Sequence, residues 1–240
     1  MKIGVLLANN DDADFARRHP DDARKVAALL SALRPAWRYE SVAVKDGKFP
    51  AAPDEFDGYV ITGSPASVNE PLPWIRRLEA FIVELEAARV PTVGLCFGHQ
   101  VIAKALGGVV SANRDGWGLG TGETVFERFE SWMKPPQKSL VLHAAHNEQV
   151  IVPPAQARVL GGSAHCPIGS FCIGRHVFTT EFHPEITGEF MRALLDHLNA
   201  HLDAATIARA QASLERPVDS ALFARWMVAF FEQGAARGGA

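Results

Sequence analysis

The sequence predicts an α/β fold: an open, mostly parallel sheet with helices on both faces and antiparallel strands added at one edge. Three observations carry this expectation. Short β-rich apolar runs alternate with longer helical ones through the first half. From Gly116 onward the strands become short, closely spaced and separated by turns, as hairpins are. With 240 residues, 48% of them hydrophobic, the chain suits one large domain that buries a substantial core without staples.

The first run, "KIGVLLA" at 2–8, reads as a buried strand. It turns acidic at once with Asp11 and Asp12 and lacks a small-residue cleavage site, so it is not read as a signal peptide. Residues 20–33 form a helical pattern with Pro20 and two aspartates near its positive end. Strands follow at 39–44 and at 56–62, the second ending in Gly63-Ser64-Pro65. Residues 72–90 carry Leu78, Phe81, Ile82 and Leu85 on one helical stripe. "PTVGLC" at 91–96 is a strand, and 99–108 is a helix closed by glycines.

Short strands are expected at 116–129, 139–146, 148–153, 157–163, 169–174 and 176–184. The alternating Gly116, Gly118 and Gly120 read as a bulged edge strand and are in the wrong order for a dinucleotide fingerprint. Helical patterns return at 188–202, 204–214 and 219–233. The last sets Leu222, Phe223, Trp226, Met227, Phe230 and Phe231 on a stripe suited to docking on the chain's own core. Residues 233–240 read as a frayed tail. No repeat, low-complexity linker or clear boundary interrupts the pattern, so 1–240 is read as one domain.

A formal net charge of −3 gives no electrostatic reason to expect nucleic acid or an anionic membrane as partner. No apolar segment reaches the ~20 residues that span a bilayer. The three cysteines, Cys96, Cys166 and Cys172, lack C-x-x-C spacing. That argues against a disulfide framework and structural zinc, and for a reducing cytoplasm. His197 and His201 are four apart, but Leu198 stands where H-E-x-x-H needs its glutamate, so they read as an ordinary helix face.

The stretch with most chemistry is "GLCFG", Gly94 to Gly98. A cysteine between glycines, after a strand and before a helix, has the form of a nucleophile elbow. The glycines remove Cβ clashes, the helix dipole favours the thiolate, and the Phe97 N–H is free to hold an oxyanion. The competing reading is a small buried cysteine in a glycine-rich turn. A base decides between them. His183-Pro184-Glu185 follows the strand at 176–184, and Pro184 stiffens the link between imidazole and carboxylate. That is the base-plus-orienter logic of a triad. Gly63-Ser64-Pro65, at a strand end, is where a second oxyanion donor must lie, or else a plain turn.

"GLCFGHQ", "FHPE" and "ITGSPASV" together resemble the class I, triad-type glutamine amidotransferases, in the stand-alone branch similar to the amidotransferase domain of GMP synthetase. "ALGGVV", "GWGLG", "HNEQVIVPP", "SAHCPIGSFCIG" and "RPVDSALFARW" follow in family order, so the resemblance spans nearly the whole chain. It implies a flavodoxin-like fold and a catalytic triad of Cys96, His183 and Glu185. Cys96 would attack the side-chain amide of glutamine or a related γ-glutamyl compound, and a γ-glutamyl thioester would form and be hydrolysed. The resemblance further implies backbone oxyanion donors at Gly63, Ser64 and Phe97, a substrate-binding Gln100, and a substrate-holding segment around His146. No cofactor and no metal enter this reading.

Four positions depart from the family pattern: Glu181 where glutamine is usual, Glu148 where close relatives have aspartate, and Gly169 and Ser170 where many have bulkier or amide side chains. A carboxylate at Glu181 would raise the pKa of His183 or point away along the strand. No P-loop or other nucleotide-binding loop is present. Ammonia would therefore pass to a separate synthase subunit, or the chain acts as a free-standing γ-glutamyl peptidase or hydrolase. Its own terminal helices favour the second and the family name the first. A catalytically retired binding protein on the same scaffold is the third reading, and the intact Cys96, His183 and Glu185 speak against it.

Overall fold

The computed structural model describes residues 1–235. In chain order the elements are β1 (Lys2–Leu6), α1 (Asp14–Arg17), α2 (Asp22–Ser31), β2 (Arg38–Val42), β3 (Gly58–Ile61), α3 (Pro73–Ala87), β4 (Thr92–Leu95) and α4 (Phe97–Ala105). There follow β5 (Val109–Ala112), β6 (Gly118–Phe126), β7 (Ser139–His146), β8 (Glu148–Val152), β9 (Ala157–Gly162), β10 (Ser170–Ile173) and β11 (Val177–Thr180). Three helices close the described chain: α5 (Gly188–Leu198), α6 (Ala204–Ser213) and α7 (Ser220–Ala235).

Local chemistry explains four of the helix starts. Asp21, Thr187 and Asp203 each accept a backbone N–H at the start of α2, α5 and α6, and Pro73 opens α3. Nine strands form one sheet in the order β2-β1-β3-β4-β11-β10-β9-β6-β7. Pairings from β2 to β11 are parallel, and those from β11 to β7 are antiparallel. The antiparallel strands thus extend the parallel block on one side, as the change of pattern at Gly116 implies.

Strand alternation feeds two cores. Ile3, Val5, Val60, Val93 and Phe178 face the layer of α2 and α7, while Leu6, Tyr59, Ile61 and Val177 face α3 and α4. The α7 stripe docks as expected: Phe223, Trp226, Met227, Phe230 and Phe231 are fully buried. A third, smaller cluster holds α5 and α6 against Leu119 of β6.

Some expectations are corrected. The helix α7 runs through 233–235, so the first residues of the expected frayed tail are helical, and 236–240 lie outside the described residues. The strand β8 leaves the main sheet and pairs with β5, which had no signal of its own, in a two-stranded sheet. The glycine-rich β6 pairs β7 in unbroken register from Gly118 to Val125, so it carries no bulge. Its glycines make room instead. A Cβ at Gly118 would lie 2.3 Å from His146 Nε2, and one at Gly122 would lie 2.1 Å from the Phe182 ring.

Candidate active site

The site lies at the carboxyl ends of three adjacent parallel strands, β3, β4 and β11. Cys96 follows β4 directly. Its backbone stands at φ 48° and ψ −105°, a region a non-glycine residue rarely adopts. Two bonds hold it there: its N–H donates to Thr180 O at 2.9 Å, and its carbonyl accepts the first helical bond from Gln100 N at 3.0 Å. The flanking glycines are required by backbone contact. A Cβ at Gly98 would sit 2.3 Å from the Ile61 carbonyl oxygen of β3, and one at Gly94 would sit 2.7 Å from Gly98 itself. They let α4 lie directly on β3 and β4.

His183 comes three residues after β11. Its N–H donates to His143 O at 2.8 Å, which ties the loop to β7. Its Nδ1 lies 2.7 Å from Glu185 Oε1, with Glu185 almost fully buried. The ring reaches across to Gly63, where a Cβ would lie 2.8 Å from His183 Cε1. Gly63 follows β3 and His183 follows β11, so this contact crosses the end of β4, where Cys96 sits. Nε2 of His183 has no partner among the described residues, and no hydrogen bond joins it to Cys96. The sulfur faces the Ala145 carbonyl at 4.0 Å.

The other expected site residues surround this point. Gly63 is buried and Ser64 half-buried, with Ser64 Oγ 3.2 Å from Asn10 Oδ1. Phe97 opens α4 directly after Cys96. Gln100 is buried, and its Nε2 donates to Glu148 O at 3.0 Å and to Glu181 Oε1 at 2.8 Å. His146 is also buried, with Nδ1 3.0 Å from Glu148 O and Nε2 unpartnered.

Electrostatics depart from the dipole argument. Burial pushes the Cys96 thiol well above its usual range, and the carboxyls of Glu181 and Glu185 push it further; the Phe97 N–H pulls the other way. The resting group is therefore a thiol. Glu181 neither points away along the strand nor turns to His183. It is fully buried beside Cys96 and Gln100. Sequence reasoning noted Glu181 as a departure but missed its direction, and it missed His99, which lies 3.7 Å from Glu181. The apolar neighbours of His99 on α4 were the available signal.

Cys166 and Cys172 are buried, with Cys172 Sγ 3.6 Å from Arg158 and from Glu130. His197 stacks on Phe15 at 4.6 Å.

A family model for class I glutamine amidotransferases matches residues 31–196. The chain belongs to the class I glutamine amidotransferase family. Gamma-glutamyl peptidase 2 of Arabidopsis thaliana is 30% identical over 169 residues, covering 68% of this chain and 67% of that one. A glutamine-hydrolyzing GMP synthase subunit from Sulfolobus acidocaldarius is 33% identical over 149 residues, covering 61% and 77%. A Thermotoga maritima glutamine amidotransferase shares the fold across 98% of both chains, with a TM-score of 0.76 at 16% identity. Among the described residues of this amidotransferase-family chain, no helix is long and apolar enough to cross a membrane.

Proposed function

We propose that this chain hydrolyses the γ-amide of glutamine or of a related γ-glutamyl compound through Cys96, His183 and Glu185. The observation that carries the reading is the His183 ring, held by Glu185 at 2.7 Å and laid over the end of β4 with Nε2 unpartnered. His183 Nε2 takes the Cys96 thiol proton as sulfur attacks the amide carbon. Glu185 stabilises the resulting imidazolium. The backbone N–H groups of Phe97, Gly63 and Ser64 receive the developing oxyanion. His183 then gives its proton to the departing ammonia or amine, leaving a γ-glutamyl thioester. Water attacks that thioester with His183 as base, and glutamate and the free thiol are released. Because burial keeps Cys96 protonated, proton transfer to His183 must accompany attack; hydrogen bonds of this kind shorten as substrate docks. Gln100 and the His146 segment are the groups assigned to the amino-acid end of the substrate.

The fate of the nitrogen divides the reading. The peptidase relative supports release of the amine to water. The GMP synthase relative supports ammonia delivery to a separate synthase subunit. A reducing, cytoplasmic setting fits a reaction that needs Cys96 as a free thiol.

The test is turnover of glutamine and a panel of γ-glutamyl peptides, followed by released glutamate and amine, with and without a candidate synthase. Cys96→Ala is expected to fold normally and to lose turnover by about 10⁴-fold or more. Turnover retained in Cys96→Ala, or none by the wild type on any γ-glutamyl amide, would sink the proposal. Acceleration by a synthase marks a subunit; strong preference for one amide alone marks a hydrolase.

A further inference from the structure

Two facing buried polar atoms have no partner: Glu181 Oε2 and His99 Nε2. Glu181 itself is fully buried just after β11, its N–H donating to Gly169 O at 2.9 Å. Its Oε1 accepts from Gln100 Nε2 at 2.8 Å, and its Oε2 faces His99 Nε2 at 3.7 Å.

Glu181 Oε2 has no donor within hydrogen-bond reach, since 3.7 Å to His99 Nε2 is too long for one. Burial is the main influence on the His99 imidazole and holds it neutral, down to about 3, against a smaller opposite pull from the Ile168 carbonyl. That ring therefore brings no positive charge, and an ionised Glu181 would be a buried charge without compensation in a dry interior.

The groups around Glu181 agree. They are Cys96, His99 and Gln100 from the elbow and α4, His146 and Glu148 from β7 and β8, and Cys166 from the segment before β10. None is a lysine or arginine that would pair a carboxylate. Burial drives its carboxyl well above the usual range, although hydrogen bonds from Gln100 and Cys96 pull downward.

We propose that Glu181 is held as a neutral carboxylic acid, and that in this form it positions Gln100 and keeps negative charge away from Cys96. The inference rests on Cys96 being the nucleophile for its functional meaning. Glu181 is a positioning residue: an ionised carboxylate there would oppose the thiolate, whereas the neutral acid lets sulfur give up its proton to His183.

Difference infrared spectroscopy of the wild type against Glu181→Gln at neutral pH tests the proton directly. The expected result is one protonated-carboxyl C=O band present in the wild type, lost in the variant and shifted in D2O. No band lost would overturn the proposal. Glu181→Met, of similar volume, gives the same difference spectrum should Glu181→Gln not fold. Alkylation of Cys96 by iodoacetamide, read peptide by peptide against pH, tests the electrostatic half. At alkaline pH, once Glu181 ionises, Glu181→Gln is expected to react about tenfold faster than the wild type; superimposable profiles would overturn it. Neither readout requires turnover, so an inactive protein leaves both informative. For positioning, the KM for a γ-glutamyl amide is expected to be roughly tenfold higher in Glu181→Met than in Glu181→Gln, because only the amide still accepts from Gln100. Equal KM values would remove the positioning role.

Discussion

A cysteine held at φ 48° and ψ −105° carries about 1–3 kcal/mol of backbone strain, so the surrounding contacts must over-determine it. They do so through glycine. Gly98 lets α4 touch the Ile61 carbonyl, and Gly94 lets β4 touch α4, which leaves Cys96 no other direction to turn. Gly98→Ala would place a methyl 2.3 Å from a backbone oxygen that cannot move aside like a side chain. We expect a loss of about 1–3 kcal/mol in urea denaturation. A loss of about a hundredfold in turnover is expected alongside, since the elbow shifts relative to Gly63 and His183. Unchanged denaturation and turnover would mean the helix can slide without cost. Legibility at this scale was uneven. The turn at Cys96 and the contact between His183 and Glu185 could be read because short local motifs carry each of them. Glu181 lies just two residues from His183, yet its direction depends on α4 and β7, which no local pattern reports.

Among the elements, α7 shows how burial outweighs propensity. Its middle carries Phe230, Phe231 and Trp226, none of them a strong helix former, yet all are fully buried. Trp226 packs edge-on against Phe126 at 5.2 Å and donates its indole N–H to Pro135 O at 3.1 Å. Trp226→Ala is expected to cost about 3–5 kcal/mol, read as a lowered denaturation midpoint with unchanged slope. A loss below about 1 kcal/mol would mean that α7 is dispensable to the core. The long periodic helices were legible because their stripes repeat over several turns. The four-residue α1 and β5 were not: one turn has no period to read, and β5 exists through pairing with β8 about forty residues on.

For the whole molecule, buried titratable groups set a pH dependence of stability. His99 and His146 are pushed down to about 3 and about 4, mainly by burial, so the folded chain keeps them neutral where the unfolded chain protonates them near 6.5. His143 and His176 shift the same way. Glu181 is raised, so the folded chain keeps a proton there that the unfolded chain releases near 4.5. Around pH 5 the unfolded chain thus holds about two histidine protons more and one glutamate proton fewer, a net excess of about one that shrinks toward pH 6.5. Stability rises with pH there by about 1.4 kcal/mol per unit, and less steeply as pH 6.5 is approached. Above it the histidine contributions end, and Glu181 makes stability fall until it ionises in the folded state, joined near pH 9 by the buried thiols of Cys96, Cys166 and Cys172. Denaturation midpoints from pH 4.5 to 9 are expected to peak near neutrality, with the alkaline decline reduced in Glu181→Gln. A stability that rises through the alkaline range would contradict this.

The sequence by itself determined the α/β class, the order of the main strands and helices, the elbow and the His-Pro-Glu element. Each of these is local: periodicity, capping and glycine placement act over a few residues, and their physics needs no distant partner. The tertiary structure alone decided that β8 leaves the sheet for β5, that the β6 glycines clear space for His146 and Phe182, and that His183 reaches over β4 to Gly63. It also decided that Glu181 turns inward to Gln100 and His99. Those outcomes depend on which residues far apart in the chain become neighbours, and a buried side chain takes its direction and its proton from neighbours that only the packed fold supplies.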